Sequence, residues 1–135
     1  MACRRVVAAA LIAADGRVLI AERPAGRQLA GRWEFPGGKV RAGESDAAAL
    51  ARELEEELGV EVLEGRFLLE LSHRYDELCV DLSMWVVERF AGEPRGLDGQ
   101  RLKWVRPDAL DAEDILEADR PFIAALQRMA LPRAG

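Results

Sequence analysis

Residues 38–60 read GKVRAGESDAAALARELEEELGV. Ala47, Leu50, Ala51, Leu54 and Leu58 recur at steps of three and four, the period of a helix with one apolar side. Ser45 stands ahead of that run with a side chain suited to N-capping, and Gly59 follows it, where a left-handed residue ends many helices. A glycine loop therefore feeds a helix. Glu53, Glu56 and Glu57 sit on it at i, i+3 and i+4, sharing an arc of roughly 100° beside the apolar stripe. Carboxylates so spaced repel one another, and Arg52 is the cation near enough in sequence to offset them. A hard divalent cation relieves the repulsion, because it takes oxygen ligands and bridges to phosphates. For the glutamates alone, a solvated acidic face is the plain alternative.

The rest of the chain bounds what such a site can serve. At 135 residues, half of them apolar, the chain is expected to fold as one domain, 1–135, around its own core. A formal net charge of −5 argues against a surface that tracks nucleic acid polymers. Cys3 and Cys79 show neither metal-ligand spacing nor a disulfide framework, which points to a reducing, cytoplasmic compartment. His73 is the sole histidine and belongs to no motif, which disfavours histidine zinc clusters and nucleophile–histidine triads. Arg4 and Arg5 followed by VVAAALIAA imitate a secretory leader. The Asp15-Gly16 turn signal and the strand-like RVLIAER that follow make a hairpin over 5–23 the better reading. No segment reaches the roughly 20 apolar residues of a membrane span.

Further short elements are expected on either side of the helix. Residues 33–35 make a strand before Pro36-Gly37-Gly38, and 66–72 and 78–89 have strand composition. Residues 91–100 are a Gly/Pro loop, Trp104 and Val105 a last strand, and 121–129 a helix with Phe122, Ile123, Leu126 and Met129 on one side. Asp119 is placed to N-cap that helix, just ahead of Pro121. Trp33, Trp85 and Trp104 read as packing residues with a polar edge. The fold class is α+β, an α/β/α sandwich with a mixed sheet packed between helices.

Gly38, Glu44, Arg52, Glu53, Leu54, Glu56, Glu57, Gly59 and Val60 occupy every fixed position of the Nudix box. At average residue frequencies, a match at a given start is on the order of one in a billion. The chain resembles the Nudix hydrolase family, and GRWEFPGGKV, VVERFAGEP and EADRPFIAAL are similar to its MutT branch. The resemblance spans residues 6–126 and implies the Nudix fold and hydrolysis of a nucleoside triphosphate to monophosphate and pyrophosphate. It implies Mg2+, or Mn2+ in its place, held by Glu53, Glu56, Glu57, Asp98 and the Gly37 carbonyl. Glu53 would hold a metal-bound water and act as general base, with Glu44 holding Arg52 and the loop. Arg23, Phe35, Lys39 and Val80 would bind the nucleotide, with Asp119 reading its base.

The chain departs from MutT at Asp119, where that branch has asparagine, and at Leu78, where it has arginine. The expected substrate is 8-oxo-dGTP; a CTP or 5-methyl-dCTP pyrophosphohydrolase is the rival within the fold. Dinucleoside polyphosphates and ADP-ribose fit the flanking segments less well. A non-catalytic, nucleotide-sensing Nudix domain would be expected to lack box glutamates, and none is missing. Neither a nucleic acid polymer nor a membrane is an expected partner, and the protein is expected to be a monomer or weak homodimer.

Overall fold

A computed structural model describes residues 3–27 and 29–129, with the backbone alone at Tyr75. The elements are β1 (Arg4–Leu11), β2 (Val18–Glu22), β3 (Trp33–Glu34), β4 (Gly37–Lys39), α1 (Asp46–Leu58), β5 (Glu61–Tyr75), β6 (Leu78–Ala91), β7 (Leu102–Val105) and α2 (Arg120–Arg128). One sheet runs β4-β1-β6-β5 and a second β3-β2-β7. In the first, β1 and β6 are parallel and the other pairs antiparallel, so the sheet is mixed. The second is wholly antiparallel.

The apolar run that imitates a leader is the central strand β1, covered on both faces. Val7, Ala9 and Leu11 face a core built with Leu50, Leu54 and Leu58 of α1. Ala8 and Ala10 face another core, with Phe122, Ile123 and Leu126 of α2. A strand buried on both sides needs no polar alternation, which is why it reads as a continuous apolar stretch. The expected 5–23 hairpin is corrected in its pairing: β1 and β2 separate into different sheets after a single bridge, Ile12 to Val18.

Ser45 caps α1 as expected, its side chain accepting from the Ala48 N–H, and Gly59 ends the helix at φ 72°. Leu50, Leu54 and Leu58 are fully buried, each contributing roughly 1.5–3 kcal/mol of apolar burial. Arg5 of β1 grips Asp46, at the start of α1, through two charge-assisted bonds of 2.9 and 2.6 Å. Strand, helix and box are thereby held together.

The reading of the cysteines is also corrected. Cys3 and Cys79 are joined in a disulfide, and the Asp81 carboxylate lies within 4.8 Å of both sulfurs. Parallel pairing sets Arg4 beside Val80, so residues 76 apart in sequence become lateral neighbours. No local spacing pattern announces such a pair. An oxidised pair also removes the cysteine argument for a reducing compartment. Among the described residues, no helix is long and apolar enough to cross a membrane.

Candidate active site

Arg52 organises one end of the site. Its guanidinium donates to both Glu44 oxygens at 2.8 and 2.9 Å, to Glu53 Oε1 at 2.8 Å and to the Lys39 carbonyl at 3.0 Å. Glu44 also accepts the Arg41 N–H, and these donors, with Arg52 foremost, hold its carboxyl down at about 2. The loop before α1 is thus tied to the helix through a carboxylate that stays charged.

Glycine is required where β4 passes this network. A Cβ at Gly38 would collide with the Glu53 carboxylate, and one at Gly37 with the Val7 carbonyl oxygen. Glu57, one turn on from Glu53, is pushed up to about 8, first by burial and then by repulsion from Glu53, Glu34 and Asp98. A carboxyl so placed among carboxylates gains most from a cation. The donors are all hard oxygens, which suits a divalent ion of the magnesium class better than a soft metal.

From Glu53, Glu57 and Gly37 a cleft of about 650 Å³ runs along β1 and β6 to Asp119. Asp119 is 6% exposed and accepts the Phe35 N–H at 3.0 Å. Burial, then the nearby Glu34, pushes its carboxyl up to about 7 against the opposing pull of Phe35 N–H and Arg23. The expectation that Asp119 caps α2 is corrected: it holds the N-cap position, but its side chain makes no capping bond. The carboxyl turns instead toward β3 and the cleft. Beside it Arg23 donates to Glu34 at 2.9 Å, and burial raises Glu34.

Arg23, Gly37, Lys39, Glu53, Glu57, Val80 and Asp119 come together on this cleft. Phe35 does not bring its ring there; the ring packs edge-on against Phe122, centroids 4.8 Å apart, and only its N–H reaches Asp119. Glu56 faces outward, held by Arg52 at 3.3 Å and Arg41 at 3.7 Å. Asp98 is exposed in the loop after β6, close enough to act on Glu57 without lining the cleft. Arg4, Arg27, Leu29 and Glu34 line it without having been expected. Glu34 carried a usable signal: it lies between Trp33 and Phe35, both buried, so a strand turns it to the other face. Arg4 carried none, since only the pairing of β1 with β6 brings it in. His73 lies on β5 opposite Val80, partly buried.

A helix of hard-oxygen donors, a glycine strand pressed against it and a cleft ending on a buried carboxyl suit a divalent ion held against an anionic ligand. The chain belongs to the Nudix family: the NUDIX domain model matches residues 3–126. It is 37% identical over 127 residues to the CTP pyrophosphohydrolase of Escherichia coli K12, covering 94% of each chain. It is 36% identical over 115 residues to the 8-oxo-dGTP diphosphatase of the same organism, covering 85% of this chain and 89% of that one. A solved MutT structure, from work on Aliivibrio salmonicida and Vibrio cholerae, superposes with TM-score 0.82 at 34% identity, covering 95% of this chain and 100% of that one.

Proposed function

We propose that this chain, as a single Nudix domain, hydrolyses 8-oxo-dGTP to 8-oxo-dGMP and pyrophosphate with Mg2+, removing the oxidised nucleotide before it is incorporated opposite adenine. The observation that carries the reading is Asp119, a buried carboxyl held up to about 7 at the end of the cleft on which Glu53 and Glu57 open. A neutral carboxyl has one donor and one acceptor. It accepts from the N7–H of 8-oxoguanine while donating to O6. Guanine, whose N7 is a bare acceptor, meets the acceptor oxygen with a lone pair. One unmatched buried polar contact costs about 1–3 kcal/mol, which is tenfold to several hundredfold in discrimination.

Glu53, Glu57 and the Gly37 carbonyl, which line the cleft, would hold the ion, and Glu56 and Asp98 would have to turn inward to join them. When bound, Mg2+ neutralises charge on the phosphates and acidifies the attacking water. Glu53 takes the proton of that water on Oε2, since Arg52 holds Oε1. Arg52 and Glu44 fix the orientation of Glu53; Lys39 and Arg23 bind the nucleotide's anionic part. Mg2+, with Mn2+ as substitute, follows from the donor chemistry. The reading extends to a cytoplasmic enzyme, where its nucleotide substrate is used, acting as a monomer or weak homodimer with neither nucleic acid polymer nor membrane as partner.

CTP is the second reading, favoured by the same residue: an ionised Asp119 accepts from the cytosine N4 amine, and a relative named CTP pyrophosphohydrolase covers 94% of this chain. A panel of 8-oxo-dGTP, dGTP and CTP, assayed for pyrophosphate release with Mg2+ and ranked by kcat/KM, separates the two. The expected order puts 8-oxo-dGTP first. CTP in first place would overturn the primary reading.

A further inference from the structure

Arg4 opens β1, and the strand's alternation sends Val7, Ala9 and Leu11 toward α1. The even-numbered residues Arg4, Val6 and Ala8 therefore face the other side, where the cleft lies. Their lateral partners order them along it. Ala8 pairs with Gly37 at the glutamate end, Val6 with Lys39 and Leu82, and Arg4 with Val80. At about 3.3 Å per residue, Arg4 stands roughly 13 Å along the strand from Ala8, at the outer end of the cleft.

Four basic side chains line this cleft, and Arg4 differs from two of them in a way that bears on recognition. Arg23 is tied to Glu34 at 2.9 Å, and Lys39 stands beside Arg52 at the glutamate end. Among the described residues, the Arg4 guanidinium has neither a hydrogen-bond nor an ion-pair partner. Its neighbours in the cleft are apolar: Val6, Leu78 and Val80. Leu78, where the MutT branch has arginine, leaves the first turn of β6 without a cation of its own. The charge enters from the adjacent strand instead. Cys3, bonded to Cys79, sits one residue before it and fixes where β1 begins beside β6.

We infer that Arg4 is a specificity-determining residue, whose guanidinium closes the outer end of the base cleft and donates to a carbonyl oxygen of the nucleobase. The inference rests on the nucleotide reading above and sharpens it. Arginine carries five donors and no acceptor, so it rewards a base that turns a keto oxygen toward the outer end of the cleft. 8-Oxoguanine and cytosine have one to turn there; adenine offers only ring nitrogens. Arg4 thus selects keto bases from the β1 side of the cleft while Asp119 reads the base from the side of α2.

The test is calorimetric titration with 8-oxo-dGMP, CMP and AMP, which needs no turnover. The proteins are wild type, Arg4→Ala, and the double variant Arg4→Ala/Leu78→Arg, each checked for an unchanged melting temperature. Arg4→Ala is expected to weaken binding of the keto nucleotide that wild type prefers by about tenfold to a hundredfold, the effect of one charge-assisted bond. AMP binding is expected to stay within about twofold, as for a screened surface charge. Leu78→Arg, supplying the guanidinium from the neighbouring strand, is expected to restore most of the loss. Unchanged keto affinity in Arg4→Ala overturns the inference, as does an equal loss for AMP, which would mark Arg4 as a grip on phosphate. Failure of wild type to bind any of the three overturns the nucleotide reading itself.

Discussion

The two ends of the cleft are built in opposite ways. At the glutamate end the groups come from one short stretch, residues 37–57, and their arrangement follows from helix geometry and one arginine, Arg52. At the end proposed to take the base, Arg4, Val80 and Asp119 come from β1, β6 and the residue before α2, up to 115 positions apart, and burial dominates the chemistry of Asp119. At the first end donors hold Glu44 at about 2 while burial and neighbouring carboxylates push Glu57 up to about 8; at the second, desolvation pushes Asp119 up to about 7. Reactivity is thus separable from selectivity, and a substitution at one end should leave the other's property intact.

The largest effects are expected at the glutamate end. Glu53→Gln and Glu57→Gln keep shape and remove charge; each is expected to lower kcat by about 10²–10⁴-fold, on the scale of a lost general base, while the order of substrates stays the same. Steady-state kinetics with Mg2+ across the nucleotide panel measures both properties. Near-normal turnover, or a reordered preference, would erase the division between the ends.

At the base end, Asp119→Ala is expected to reduce the preference for 8-oxo-dGTP over dGTP by about tenfold to several hundredfold. Competition assays with both nucleotides read that ratio directly. A variant that keeps the wild-type preference would remove Asp119 from recognition.

The same residue makes a pH prediction. Its carboxyl rises from an ordinary 3.8 to about 7 on folding, so between those values the folded chain binds a proton that the unfolded chain does not. Stability from this group is full below about pH 4, declines as pH rises, and levels off above about pH 7, with a slope near 1.4 kcal/mol per unit. Asp119→Asn lacks that dependence. Urea melts at pH 5, 6, 7 and 8 should show wild type losing ground to the variant up to about pH 7 and none beyond; parallel curves would contradict the buried neutral carboxyl.

The smallest effect is expected from Glu55→Gln. Glu55 is exposed on α1, and its loss should leave kcat/KM within about twofold and stability within about 0.5 kcal/mol. A large loss would mean that the acidic arc extends past Glu53, Glu56 and Glu57.

The glutamate end was legible because its determinants are local. Ser45, the three- and four-residue spacing of leucines and alanines, and Gly59 specify a helix at about 100° per residue, and that geometry alone sets Glu53 beside Glu57. Burial of Phe122, Ile123 and Leu126 was likewise readable from their period. Strand alternation separates Phe35, whose ring turns into the core, from Glu34 beside it, but only the assembled sheets show that the cleft lies on the Glu34 side. Asp119 read as an N-cap because its distant partner, the Phe35 N–H, lies 84 residues away.

The sequence by itself determined the box helix, its carboxylates and the family, since each depends on neighbours within a few residues. Only the tertiary structure decided that Cys3 meets Cys79, that Arg4 enters the cleft beside Val80, and that the Asp119 carboxyl is buried and pushed up. Each of these follows from pairing and packing between segments far apart in the chain. Strand register and desolvation arise only when such segments close on one another, so no window of sequence contains them.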